Sequence, residues 1–404
     1  MKKFFPWVFL VIVFGILFSG CVKKAPPPIW LSKISTLTSP IGPEEILRLP
    51  EGDPITFAQL LDDTSRTRVI FVGESHDQIE HHQIQLRLIQ SLVAKGKEVA
   101  IAMEMFEGSQ QPILDRWSQG VLTEEEFLKW VNWETKWGMD YELYKGILDE
   151  AKGHRLKVLA LNVQRDLVRR VAQNGIKKLS TQDKKQLPEM DLTDKQHHTY
   201  IKSIYKGHQG GSAEGFKNFY QAQSLWDEGM AETLSRFLKS SDGEGKTVLV
   251  FAGSGHIVFG FGIPKRFYRR TSIPYQTIVL KTWKEKLDED FTFAETSSPL
   301  GNFLWITRPN PPGKKQPRIG VILTQPKEDQ KGLWIEKVIP DSPAEKAGLL
   351  SGDQLIAVEG KEITKVKDIH DALSRKGWGN NITFTILREG VKKEITVTLP
   401  SFKE

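Results

Sequence analysis

The sequence predicts an α/β protein in which a mainly parallel sheet, flanked by helices and carrying an all-helical insertion, is followed by a small mostly-β domain. Three observations carry that prediction. Uninterrupted apolar runs recur from Arg68 to Leu280, helical patterns separate them, and a Pro/Gly/Lys stretch at 309–317 then marks a change of character. Continuous runs, unlike alternating ones, belong to strands covered on both faces, as in parallel sheets.

Taken in order, Met1 to Cys21 reads as an export signal. Lys2 and Lys3 open it, Phe4 to Phe18 is almost wholly apolar, and Ser19-Gly20 precede a cysteine. It resembles a bacterial lipoprotein signal, which implies removal of 1–20 and acylation of Cys21 (palmitate among the chains). An uncleaved membrane anchor is the alternative, though the run is short for a span of roughly 20 residues. Cys21 is the single cysteine of the 404 residues. Once lipidated, it would leave no thiol for disulfides, thiolate metal sites or nucleophilic catalysis. Val22 follows where an inner-membrane retention signal would have Asp, so the expected location is the bacterial cell envelope, on the outer membrane. Residues 21–49, with Pro26-Pro27-Pro28, read as a tether. A net charge of +6 without a dense Lys/Arg block fits an acidic ligand or anionic lipid and predicts no nucleic-acid partner.

The α/β unit is expected over 50–300. Its buried strands are Val69-Ile70-Phe71-Val72, Val99 to Met103, Val158 to Leu161, Val248 to Phe251 and Thr277 to Leu280. Asp77 to Ala94 is the clearest helix, with Ile79, Leu86, Ile89 and Val93 on one face and Asp77 with Glu80 as a capping box. Helices are also expected at 122–131, 142–152, 165–173, 193–206 and 213–239. Trp130, Trp133 and Trp137 share a helical face, which suits core or lid packing better than cofactor stacking.

Two turns stand out. Gly73-Glu74-Ser75-His76 and Gly253-Ser254-Gly255-His256 each follow a buried strand. Such turns deliver polar side chains to the carboxyl edge of a parallel sheet, where open α/β folds bind ligands. The other exits supply Glu104 and Asn162. Together they offer two readings: a divalent metal held by His76, His256 and Glu104, or acid–base catalysis by His76, Glu74, Glu104 and His256. For the carboxylates, capping of a helix N-terminus is the plainer role. His82 projects toward the apolar face of its helix and reads as a buried, hydrogen-bonded ring; His81 is left open.

A second constellation lies on the segment Gln196 to His208, where His197, Ile201, Ile204 and His208 share a face beside Tyr200 and Tyr205. Imidazoles and phenols among apolar residues suit a flat apolar cofactor such as haem, whose iron takes either ligand. Ordinary surface histidines on an amphipathic helix are the alternative.

After the linker, Ile339-Pro-Asp-Ser-Pro-Ala-Glu-Lys-Ala-Gly348 and Gly352-Asp353-Gln-Leu-Ile-Ala-Val-Glu-Gly360 resemble a PDZ domain over 318–402. The resemblance implies capture of a protein C-terminus by a loop containing Ile319, Gly320 and Val321, with Ile369 and Leu373 lining the groove. The larger unit resembles the ChaN family of haem-binding uptake lipoproteins, related to Tiki and erythromycin-esterase-type proteins. The matching stretches are Val72-Gly-Glu-Ser-His76, Met103-Glu-Met-Phe106, Gln223-Ser-Leu-Trp-Asp227-Glu-Gly-Met-Ala231 and Gly253-Ser-Gly-His-Ile257, with His197-His198 and Tyr200. That resemblance implies haem binding in iron uptake, tyrosine ligation through Tyr200 or Tyr205, and a homodimer. For the paired turns the wider superfamily implies metal-dependent peptidase or esterase chemistry instead. The expected function is thus an envelope lipoprotein binding haem or a related tetrapyrrole, with a PDZ module docking a protein partner; the alternative is a metal-dependent hydrolase. Strand-edge His and Glu serve binding and catalysis alike, so the residues alone do not say whether it is an enzyme.

Overall fold

The computed structural model describes residues 42–206, 212–283, 298–310, 317–324, 332–364 and 366–401. The signal segment, Cys21, most of the expected tether, His208 and most of the linker lie outside them. The chain divides into two units, Met1–Pro309 and Asn310–Glu404.

In the first unit the strands are β1 Ile46–Arg48, β2 Asp53–Ile55, β3 Val69–Glu74, β4 Val99–Glu107, β5 Lys157–Asn162, β6 Thr247–Gly253, β7 Tyr275–Thr282 and β8 Phe303–Thr307. They form one eight-stranded sheet in the order β2-β1-β8-β7-β3-β6-β4-β5. From β8 through β5 every pairing is parallel, and β1 and β2 add an antiparallel edge. The expected tether therefore ends earlier than 49, because Ile46–Arg48 pairs with β8.

Every residue of β3, β4 and β6 is buried, and the pleat explains why. Alternate side chains point to opposite faces. Ile70, Val72, Ile101, Met103, Leu249 and Phe251 pack on one layer, while Val69, Phe71, Ala100, Ala102, Val248 and Val250 pack on the other. Each fully buried aliphatic side chain contributes about 1.5–3 kcal/mol, so the centre of the sheet is the stable platform.

The first layer holds α1 Phe57–Ser65, α2 Ile79–Ala94, α3 Gln111–Ser118, α4 Glu124–Val131, α5 Trp133–Lys136 and α6 Glu142–Gly153. Between β5 and β6 run α7 Arg165–Asn174, α8 Thr181–Lys184, α9 Lys195–Lys206 and α10 Ala213–Lys239, the expected helical insertion; α11 Ile263–Thr271 follows β6. Helix α10 lies close against the end of β5. A Cβ on Gly229 would come within 2.0 Å of Val163 Cγ1, so only glycine fits that contact.

Two local expectations are corrected. Helix α2 begins at Ile79 after Gln78 without a side-chain cap, and Glu80 instead accepts the Arg308 backbone N–H, so no Asp77–Glu80 capping box forms. The tryptophan stripe is broken at Asn132, whose left-handed φ of +50° ends α4 and starts α5 in a new direction. Trp133 is consequently core, whereas Trp130 lies outside under the Arg116 guanidinium.

The second unit is a six-stranded antiparallel sheet: β9 Val321–Thr324, β10 Leu333–Val338, β11 Gln354–Val358, β12 Lys361–Glu362, β13 Asn381–Arg388 and β14 Val391–Thr398. It packs with α12 Pro343–Lys346 and α13 Val366–Lys376 around one small core. Strand β9 ends the sheet order.

Candidate functional site

Strands β3 and β6 are neighbours, in register from Val69 opposite Val248 to Glu74 opposite Gly253. Their carboxyl ends therefore open side by side, and the two glycine turns meet. A Cβ on Gly253 would touch His76 Cε1 and Nε2 at 3.1 Å and Glu104 Oε2 at 3.7 Å. The predicted convergence of both imidazoles with the acidic groups is thus found in one cleft.

The first turn rests on Glu74, 2% exposed. Its Oε1 accepts from His76 Nδ1 at 2.8 Å and from the Tyr144 hydroxyl at 3.2 Å. Its Oε2 accepts from Gln85 Nε2 at 2.5 Å, with His82 Nδ1 at 3.5 Å. Burial pushes this carboxyl up, but the His76 hydrogen bond and the His82 charge more than reverse that, and the net shift is downward. Glu74 is a buried carboxylate, not a helix cap. His82 is buried as expected, its Nε2 on the His76 carbonyl at 3.2 Å. His81 is buried too. Its Nδ1 accepts the Ser75 N–H at 2.8 Å, so Nε2 carries the proton toward Thr307 Oγ1 at 3.0 Å. Burial drives its pKa down to about 4, which keeps the ring neutral.

The second turn rests on Asp227, 1% exposed, in α10. Asp227 Oδ1 accepts from His256 Nδ1 at 2.7 Å. Glu104 stands between the turns, where β4 leaves its pairing with β6 at Met103. Its Oε2 accepts the Gly253 N–H at 2.7 Å, and its Oε1 is 3.6 Å from His256 Nε2. Burial alone would lower the His256 pKa, but the charges of Glu104 and Asp227 outweigh it and lift the ring to about 9. His76 is likewise raised: burial opposes, while the Glu74 hydrogen bond and the Glu104 charge win. The Trp137 ring meets His76 edge-on at 4.8 Å, and Trp226 meets His256 at 6.0 Å. Asn162 spends its amide on the Glu104 carbonyl and the Val163 N–H, and so frames the site from outside.

The two rings thus share one construction. Each binds Nδ1 to a buried carboxylate and leaves Nε2 on the cleft side, the first at Gly253 and the second at Glu104. Such a site can hold a polar ligand or move protons. Among the described residues no group of three or more His, Cys, Asp or Glu side chains is arranged to hold a metal ion, so the divalent-metal expectation for His76, His256 and Glu104 gains no support.

Of the predicted haem ligands, His197 is corrected. It is 1% exposed, with Nδ1 accepting from Arg266 Nη2 at 2.9 Å and Nε2 in ion-pair contact with Asp227 Oδ2 at 3.1 Å, outside hydrogen-bond geometry, so the ring is enclosed in the protein and not open to a ligand. Tyr200 is half-buried with its ring 5.6 Å from Phe259 and 6.1 Å from Phe261, in the apolar cluster that Trp283 joins. Phe259 holds a left-handed φ of +59°, a conformation costing of order 1–3 kcal/mol that surrounding structure must enforce. Tyr205 lies apart, packed on Phe216 and Phe219. A tetrapyrrole needs a broad apolar face and an axial donor. Tyr200 offers the donor, a phenol oxygen, beside the half-buried aromatic rings of Phe259 and Trp283, and these residue types suit such a group.

In the second unit, Gly320 has φ +84°, and a Cβ there would fall 2.3 Å from Ser342 Cβ, so the loop requires glycine. Val321 enters β9 and is half-buried, while Ile319 is buried. Ile369 and Leu373, at 2% and 4% exposed, belong to the core of this unit.

Asp227, Gln85, Tyr144 and Arg266 escaped the reading of strand exits. The usable signal was the stretch Gln223 to Ala231, which sets Trp226, Asp227 and Glu228 in succession.

A doubly covered, mostly parallel sheet with its polar groups gathered at the carboxyl edge defines an α/β ligand-site protein. Residues 60–267 match the family described as haem-binding uptake, Tiki superfamily, ChaN, and residues 317–399 match the PDZ domain. The chain belongs to this ChaN-type haem-binding uptake family and carries a PDZ domain after it. A solved structure described as cofacial heme binding to ChaN of Campylobacter jejuni matches with a TM-score of 0.51 at 19% identity, over 65% of this chain and 95% of that one, which establishes the shared fold. Curated relatives include Serine protease HTRA1 of Xenopus tropicalis, 46% identical over 50 residues (12% of this chain, 11% of that protein). Serine protease Do-like HtrB of Bacillus subtilis is 36% identical over 70 residues (17% and 15%). The chain thus spans only 11% and 15% of the lengths of these two.

Proposed function

We propose that this chain is a cell-envelope lipoprotein, anchored to the outer membrane through acylated Cys21, that binds haem or a related tetrapyrrole in its ChaN-like unit. Its PDZ unit docks the C-terminus of a protein partner, and a homodimer is the expected assembly. The observation that carries the reading is Tyr200, set against Phe259 and Phe261 immediately beyond the His256 turn. Haem would supply an iron for a phenol oxygen to ligate. Tyr200 would hold it, Phe259, Phe261 and Trp283 would cover its apolar face, and Asp227 would bear on the phenol. Burial first, then the Asp227 charge, raises the Tyr200 pKa, so the free protein keeps a neutral phenol, and ligation through this oxygen would release its proton to solvent. The open order of β9 at the sheet edge suits strand addition by a peptide.

Hemin titration of the full chain tests this. A shifted Soret band is expected, lost in Tyr200→Phe and kept in Tyr205→Phe. A wild type with no shifted band would end the haem reading, and loss only in Tyr205→Phe would move the ligand to that helix end.

A second reading is favoured by the cleft itself. His76 and His256 Nε2 together with Glu104 form an acid–base set for hydrolysis of an ester or peptide, with Glu74 and Asp227 behind the rings. Turnover in a peptidase and esterase screen, abolished by His76→Ala and by His256→Ala, is the expected outcome. Turnover indifferent to both substitutions would remove the cleft from the chemistry.

A further inference from the structure

The Gln223–Ala231 stretch leads to a buried chain of side chains that neither packing nor charge balance alone accounts for. Arg266, 2% exposed in α11, donates from Nη2 to His197 Nδ1 at 2.9 Å. An arginine has donors and no acceptor, so His197 Nδ1 must accept and the proton of the neutral ring sits on Nε2. That nitrogen lies 3.1 Å from Asp227 Oδ2, an ion-pair contact whose angle falls outside hydrogen-bond geometry. A carboxylate only accepts, so the other oxygen, Oδ1, accepts a hydrogen bond from the His256 Nδ1–H at 2.7 Å. The two hydrogen bonds at the ends of the chain are therefore directed, the His197–Asp227 contact between them is electrostatic, and His256 is left with Nε2 on the cleft side, 3.6 Å from Glu104. Arg266 is itself held by the Phe261 carbonyl at 2.6 Å and sits 3.3 Å from Glu228, which Arg269 and Arg270 also contact. The donor at the head of the chain is thus anchored independently of the histidine it serves.

We propose that His197 and Arg266 are positioning residues that act through Asp227 to fix which nitrogen of His256 faces the cleft. The nitrogen a histidine presents is set by the hydrogen bond its other nitrogen makes, and here that bond is prescribed two residues further back. The inference rests on the reading that the cleft is the functional site. It adds a role for a histidine whose burial excludes it from touching a ligand.

The test is made on the full chain labelled with 15N at histidine. In the wild type, ring nitrogen shifts are expected to give His197 protonated at Nε2 and bare at Nδ1, and His256 protonated at Nδ1. A low-field Nδ1 proton of His256, identified by its loss in His256→Gln, should survive in His197→Gln, whose amide can accept from Arg266 and donate to Asp227. It should be lost in His197→Leu. His197 protonated at Nδ1 in the wild type would overturn the proposal without any variant having to fold. So would a low-field proton that persists in His197→Leu, or one lost equally in His197→Gln. Hemin titration and the hydrolysis screen of His256→Gln address the other layer: no change in either sinks the cleft as the functional site, whatever the ring shifts report.

Discussion

The two glycine turns carry the same local device and are supported in opposite ways. At the first, the carboxylate comes from the strand itself, Glu74, and is held by Gln85 and His82 of α2 and by Tyr144 of α6. At the second, the carboxylate comes from a distant helix, Asp227 of α10, and is backed by His197 of α9 and Arg266 of α11. The first set belongs to one helical layer and the second to the other, so the cleft at the sheet edge is gripped from both faces. The comparison teaches that a strand and a glycine turn suffice to aim a histidine. The state of that histidine is decided by which layer reaches it and with what charge.

Substitution should separate the two supports, and the largest effect is expected at the arginine. Arg266→Met leaves Glu228 and Asp227 buried with fewer cationic partners and should cost about 3–5 kcal/mol. Gln85→Met removes one neutral donor from Glu74 and should cost about 1–3 kcal/mol. Chemical denaturation of both reads the difference, and equal losses would break the contrast between a charged and a neutral support.

Stability against pH sharpens it from another side. The folded pKa of His256, about 9, lies above the usual 6.5, so folding favours the protonated ring. Its contribution is complete below pH 6.5 and drains away as pH rises through 9, of order 3 kcal/mol in all. His81, which holds the Ser75 N–H of the first turn, has its folded value near 4, below the usual 6.5. The folded state therefore binds fewer protons, and stability falls as pH drops from 6.5 toward 4. Asp227→Asn is expected to flatten the alkaline limb and His81→Gln the acid limb, measured as melting temperature across that range. One substitution flattening both limbs would mean the turns titrate as a unit.

The smallest effect is expected at Asn132, whose left-handed backbone starts the short helix that carries Trp137 toward His76. Asn132→Val should cost about 1–2 kcal/mol and alter Trp137 emission, with the Trp226 side of the cleft undisturbed.

Much of this was legible because it is local. Val69 to Val72 and Val248 to Phe251 announced covered strands, and Ala213 to Lys239 gave a long helix at its observed limits. The turns at Gly73 and Gly253 marked the site. What could not be read depended on partners remote in the chain. Ile46–Arg48 looked like tether because a three-residue strand has no pattern until β8 lies beside it. Glu80 looked like a cap because the competing acceptor role, toward Arg308, lies across the fold. His197 looked like a ligand because nothing in its neighbourhood reveals Arg266.

By itself the sequence determined two folding units, the buried strands, and the two histidines at strand ends, because apolar periodicity and glycine turns act through the backbone over a few residues. Only the tertiary structure decided that β3 and β6 lie adjacent, that Glu104 stands between the imidazoles, and that Asp227 and not a neighbour in sequence holds His256. Those choices belong to burial, which removes water as a partner and obliges each polar group to take whatever donor or acceptor the packed layers bring within reach.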